Sequence, residues 1–177
     1  YSSARPSIHL VAPQSTVSAA APTVASAAVL LIDAGGQNPN WSSAFTTNRA
    51  GTTIYNAQRS ETIKALLMAG ASRLTINSSA NGGIDDYRQD SGQQTDNGLD
   101  WRYGAGQLNV QHSYQILSAT EQASQQDGGD LQVQTTGFDF DPAFGGSNGS
   151  NSVADYNLGQ LDTDGFLVAS LVWNADV

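Results

Sequence analysis

The sequence contains no cysteine, which excludes disulfides and any thiolate metal site. Positive charge is almost as scarce. Lys64 and six arginines stand against sixteen Asp and Glu, giving a formal net charge of -9. The few basic residues do not cluster. A nucleic-acid partner must be met by Lys and Arg that displace phosphate counterions, so the composition argues against one. The same charge argues against an anionic membrane surface. Long apolar runs are missing too. The run 19–32 is Ala-rich and too short to span a bilayer. It has no basic segment before it, so it makes a poor signal peptide, and no membrane attachment is expected. The first residue is Tyr1 and not Met, which reads as a fragment or a processed product. A polar, acidic, cysteine-free chain with one lysine suits a secreted or extracellular bacterial protein.

What the sequence does hold is a polar texture, rich in Gly, Ser, Asn and Gln, around a few apolar segments. Residues 7–11, between Pro6 and Pro13, read as a short strand. Residues 20–34 read as a helix. Ser18 stands before it as a cap, Pro22 falls in its first turn, and Gly35-Gly36 ends it. Its apolar residues lie on every side, which predicts burial all round. Residues 37–56 read as a loop. A second helix follows, capped by Ser60, with Glu61 in its first turn and Ile63, Leu66 and Leu67 on one apolar face. Residues 78–98 read as a surface loop. Gly104-Ala105-Gly106 is a tight turn, and Asn109 caps a third helix carrying Val110, Tyr114, Ile116 and Leu117. The polar stretch 121–130 reads as a linker and the candidate domain boundary. Beyond it the texture becomes β-like, and 166–173 reads as a strand central in a sheet.

Three segments in order carry a family resemblance. Val11-Ala12-Pro13, after Tyr1-Ser2-Ser3, resembles the strand and turn upstream of the nucleophile in subtilisin-like serine peptidases. Ser18-Ala19-Ala20-Ala21-Pro22-Thr23-Val24-Ala25 resembles that family's Thr-Ser-x-Ala-Ala-Pro-x-Val-Ala-Gly signature. Ile63 to Ala69 resembles its next helix, and Tyr103-Gly104-Ala105-Gly106 with Asn109 resembles the turn and helix cap that follow. Leu171-Val172-Trp173 is similar to a strand of the β-rich domain that follows the peptidase domain in some members.

The resemblance implies an α/β fold: part of a subtilisin-like three-layer α/β/α peptidase domain over 1–126, then the start of a β-rich, sandwich-like domain over 127–177. It implies peptide-bond hydrolysis with Ser18 as nucleophile. The family's Asp, His and oxyanion Asn precede the serine, so all three would lie upstream of Tyr1, and this chain alone is expected to be inactive. The chain departs from the family at Thr16-Val17, which stand where Gly-Thr is expected, and in the short link from Pro13 to Ser18. Those departures motivate a second reading, a non-catalytic relative used for binding or support. A third is an unrelated α+β module, on which the 20–34 helix would pack on a surface with one side exposed.

The expected partners are the missing N-terminal part of the peptidase domain, or a second copy of the chain, and a peptide substrate when intact. A missing half would leave strand edges and one face of the central helix uncovered. His9 and His112 read as structural histidines. No cofactor is implied, with calcium as the one candidate. Asp162-Thr163-Asp164-Gly165 begins like a calcium loop but lacks its distal ligands. Asp85, Asp86 and Asp96 read as solvated acids able to meet a cation. Asp139 and Asp141 alternate with Phe138 and Phe140, as polar and apolar faces of a strand. Asn77 and Asn148 match the glycosylation pattern, which is common by chance.

Overall fold

The longest element, α1 (Val17–Gln37), is 21 residues long. It begins and ends beyond the 20–34 span that its Ala-rich sequence suggests. Ser18 therefore lies inside the first turn and not ahead of it, and Pro22 lies one turn deeper than its missing N–H favours. Proline at that point removes the donor that would reach the carbonyl of Ser18. Nearby hydroxyls turn to the backbone: Thr23 Oγ1 donates to the Ala19 carbonyl and Ser26 Oγ to the Pro22 carbonyl, both at 2.9 Å. The expected stop at Gly35-Gly36 does not occur. A Cβ on Gly35 would sit 3.0 Å from the Ala57 Cβ and 3.2 Å from its carbonyl. The glycine is there for close approach of that segment, and packing outweighs its poor helix propensity.

Burial along α1 corrects the expectation that it is covered all round. Ala27, Leu31 and Gly35 form one buried row at i, i+4 and i+8, while Val29 and Leu30 are each 62% exposed. Among the described residues no element covers the second face. The helix rises about 31 Å. By length and composition it is long and apolar enough to cross a membrane, although the run 19–32 by itself is short for that.

This computed structural model describes residues 8–14, 17–75, 83–84, 91–145, 149–161, 164 and 167–173. The readings placed on Ser7, Asn77, Asp85-Asp86, Asn148, Asp162-Thr163 and Gly165-Phe166 lie outside them. The chain divides into two compact units, each built from two segments: Tyr1–Leu30 with Leu67–Ser113, and Leu31–Leu66 with Tyr114–Val177.

In the first unit, segments far apart in sequence are laid side by side. Val11 bridges Gln107 in parallel, and Gln107 bridges Ser72 antiparallel. Ser72 and Gln107 exchange N–H to carbonyl bonds of 2.8 and 2.9 Å. The turn that makes this possible is the expected one at 104–106. Gly104 has φ +62°, and a Cβ there would stand 2.4 Å from the His9 carbonyl. Gly106 has φ +134°, and a Cβ there would stand 2.3 Å from the Ser72 carbonyl oxygen. No other residue fits either place. Just after it, α3 (Val110–Ser118) starts at Asn109, whose side-chain oxygen accepts the His112 N–H at 3.1 Å.

In the second unit, the presumed loop 37–56 contains an antiparallel hairpin. Strand β1 (Phe45–Thr47) pairs with β2 (Thr53–Tyr55) in the register Phe45–Tyr55, Thr46–Ile54, Thr47–Thr53. The connection is fixed by Asn48, whose side chain accepts the N–H groups of Ala50 and Thr52 at 2.9 Å, and by Gly51 at φ +83°. The strands are aromatic and β-branched, with Phe45 and Tyr55 edge to face at 6.0 Å. Helix α2 (Ser60–Ala69), whose last residues from Leu67 belong to the first unit, buries Ile63, Leu66 and Leu67 as their spacing predicts. Residues 167–173, read as a central strand, carry no ladder. Leu167, Leu171 and Trp173 are exposed, because no described strand lies beside them.

Candidate functional site

Ser18 is exposed in the first turn of α1. No acidic side chain occupies that turn, so no acid of its own compensates its free N–H groups and the positive end of the helix dipole. A hydroxyl here is placed where negative charge developing on an adjacent atom would be stabilised. What a serine nucleophile also needs is a base within hydrogen-bond reach. Among the described residues the Ser18 hydroxyl has no hydrogen bond.

His9 is exposed, and its carbonyl accepts the Ala105 N–H at 2.8 Å. His112 is exposed in the first turn of α3. Neither imidazole bonds Ser18. The Gln14 side-chain amide donates to Thr23 Oγ1, in the second turn of α1, at 2.9 Å.

Two groups of polar residues stand out whose contacts their positions in the sequence did not reveal. In the first unit, Asp100 is 1% exposed, and its Oδ1 accepts the N–H groups of Arg102 and Tyr103 at 2.8 Å each. It ties the turn that delivers Gly104, and its Oδ2 is buried with no hydrogen bond. An Asp two or three residues before the N–H groups it binds is the local signal that could have found it.

The second group lies in the second unit. Glu121, read as the start of a linker, accepts the Ser43 N–H on one oxygen and the Asn56 amide at 2.8 Å on the other. Ser124 is fully buried and donates to Asp127 Oδ2 at 3.0 Å. The Asn151 amide donates to Asp127 Oδ1 at 2.7 Å and to Asp141 Oδ2 at 3.4 Å. Tyr156 Oη donates to Asp139 Oδ2 at 2.7 Å.

These surroundings move the acids in opposite directions. The Asn151 and Ser124 hydrogen bonds hold the Asp127 carboxyl below its ordinary value. Burial pushes Asp139 up, and the charges of Glu121, Asp141 and Asp127 push the same way, against the bond from Tyr156. Burial and the Asp139 carboxylate raise the Tyr156 phenol. Asp139 and Asp141 are thus parts of a loop network and not of a strand face. Their partners come from segments many residues away, so no local pattern announces them.

Among the described residues no three His, Asp or Glu are grouped to hold a metal ion. Asp96 and Asp164, considered for calcium, are both exposed. No protein-family model, curated protein or solved structure matches this chain.

Proposed function

We propose that this chain is the C-terminal portion of a subtilisin-like serine peptidase, with Ser18 at the position of the nucleophile. The remaining catalytic groups would be supplied from outside these 177 residues. The observation that carries the reading is a pairing in the first unit. Val11, of the family-like segment Val11-Ala12-Pro13, makes one isolated parallel bridge to Gln107, just after Tyr103-Gly104-Ala105-Gly106, through backbone bonds to Gly106 and Leu108. The family-like segment Ser18 to Ala25 opens the helix that follows Val11-Ala12-Pro13. A parallel bridge with helices along the connection is compatible with the start of an α/β arrangement.

In the proposed reaction the Ser18 oxygen attacks the scissile carbonyl. A histidine from the missing part takes its proton. The positive end of α1 and the serine's own N–H stabilise the oxyanion. The acyl-enzyme is then hydrolysed by water. The exposed Val29 and Leu30 form a face that the missing part would cover. An unrelated α+β module would leave the same face exposed, so the weight rests on the paired segments.

A second reading is a non-catalytic relative used for binding or support. It is favoured by Thr16-Val17 in place of Gly-Thr and by the Ser18 hydroxyl, which has no hydrogen bond among the described residues. Hydrolysis of an unstructured protein substrate by the whole gene product separates the two. Activity that disappears in Ser18→Ala supports the peptidase. Absence of hydrolysis, with the upstream Asp and His positions replaced in the sequence, supports the non-catalytic relative.

A further inference from the structure

Residues 167–173, Leu-Val-Ala-Ser-Leu-Val-Trp, hold no charge, proline or glycine. They form no helix and no ladder. Among the described residues none of their backbone N–H or carbonyl groups bonds another part of the chain. Leu167, Leu171 and Trp173 are 59%, 71% and 71% exposed. Ala169 is exposed as well, while Ser170 and Val172 are half-buried. In an extended chain Leu167, Ala169, Leu171 and Trp173 share one face. A backbone left unpaired beside an open apolar face, with nothing in it to block pairing, is a template for a further strand.

The order of the side chains says which strand fits. Laid antiparallel on a second copy and centred on Ser170, Leu167 meets Trp173, Val168 meets Val172 and Ala169 meets Leu171. Every apolar position then faces an apolar one, and the one hydroxyl faces its own copy, where it can hydrogen-bond across the strands. A slip of one residue would set the open face of one copy beside the half-buried face of the other. A slip of two would leave residues at the ends of the segment without partners. The strands β1 and β2 are three residues each, too short to pair the whole segment. Charge works against the match, since each copy carries a net charge of -9, and salt weakens that repulsion.

We propose that 167–173 is the contact strand of a symmetric homodimer, pairing antiparallel with the same residues of a second copy about Ser170. The contact uses the same patch on both copies and closes on itself. A two-stranded contact is weak by itself, so association rises with concentration and with added salt. It is independent of any role of Ser18.

The chain has no cysteine, so single cysteines introduced into the 177-residue chain report the register through disulfide crosslinking, with rates normalised to reaction with a small disulfide reagent. Ser170→Cys should crosslink to its own copy, because directly opposed Cβ atoms lie about 4.5–5.5 Å apart. Val168→Cys stands opposite Val172, about 13 Å along the strand from its own copy. Alone it should crosslink at least about tenfold more slowly, since opposed thiols react at an effective concentration on the order of mM. A mixture of Val168→Cys and Val172→Cys should recover the fast rate as the mixed dimer. Leu171→Asp, added to Ser170→Cys, puts a like charge on the open face of each copy and should bring the rate down to that of Val168→Cys alone. Equal rates for Ser170→Cys and Val168→Cys would overturn the proposal, as would a mixed pair no faster than Val168→Cys. So would fast crosslinking of Ser170→Cys that Leu171→Asp leaves unchanged, which would assign the contact to another surface.

Discussion

The backbone N–H of Val11 donates to the carbonyl of Gly106 at 2.9 Å, and the Leu108 N–H returns to the carbonyl of Val11 at 2.7 Å. This pair joins in parallel two segments that stand on either side of α1 and α2 in the chain. Its geometry depends on two glycines. Gly104→Ala should therefore cost about 2 kcal/mol or more, since it adds a clash with the His9 carbonyl to a strained φ. Gly98→Ala, at φ +72° with open space around it, should cost about 1 kcal/mol. Denaturant unfolding of the two variants checks the difference.

The one-sided burial of α1 predicts unequal effects of two neighbouring leucines. Leu31 is 1% exposed and Leu30 is 62% exposed. Leu31→Ala should lose about 2–5 kcal/mol, and Leu30→Ala about 0.5 kcal/mol or less. Equal losses in thermal unfolding would show that the second face is covered after all.

Glu121 should behave as a structural residue. Glu121→Ala removes the acceptor of the Ser43 N–H and the Asn56 amide, and Asn56 is 5% exposed. A loss of about 1–3 kcal/mol is expected from leaving such groups without a partner. Unfolding that is unchanged would mean that the 121–130 stretch is not tied in.

Asp127 gives a pH-dependent prediction. Its hydrogen bonds to Asn151 and Ser124 favour the ionised form. Asp127→Ala should lower the melting temperature at pH 7. The gap to the parent should close as pH falls below the ordinary carboxyl range, because the parent then loses the same contribution. A gap that stays constant with pH would assign the effect to packing and not to charge.

The readable parts of this fold are those governed by local rules. The spacing of Ile63, Leu66 and Leu67 gave the buried face of α2, Asn109 gave a helix start, and Gly104-Ala105-Gly106 gave a tight turn. The failures share one cause, which is that tertiary contacts decide. Gly35 looks like a helix end until Ala57 is seen against it. The β1–β2 hairpin has only three residues per strand, too few for alternation to show, although Asn48 and Gly51 between β-branched runs were a usable signal. The apolar content of α1 and of 167–173 suggests burial, but burial also needs something to lie on top. Of the candidate site, the serine at a helix start was legible. The carboxylate network was not, since Asp127 meets Asn151 and Asp139 meets Tyr156 across long stretches of chain.

The peptidase reading is tested most directly by labelling with a fluorophosphonate probe, followed by mass spectrometry of the modified peptide. The whole gene product should carry the adduct on Ser18 and lose it in Ser18→Ala, while the 177-residue chain alone should stay unlabelled. A whole gene product that is folded yet unlabelled at Ser18, or a 177-residue chain that labels there unaided, would contradict the account.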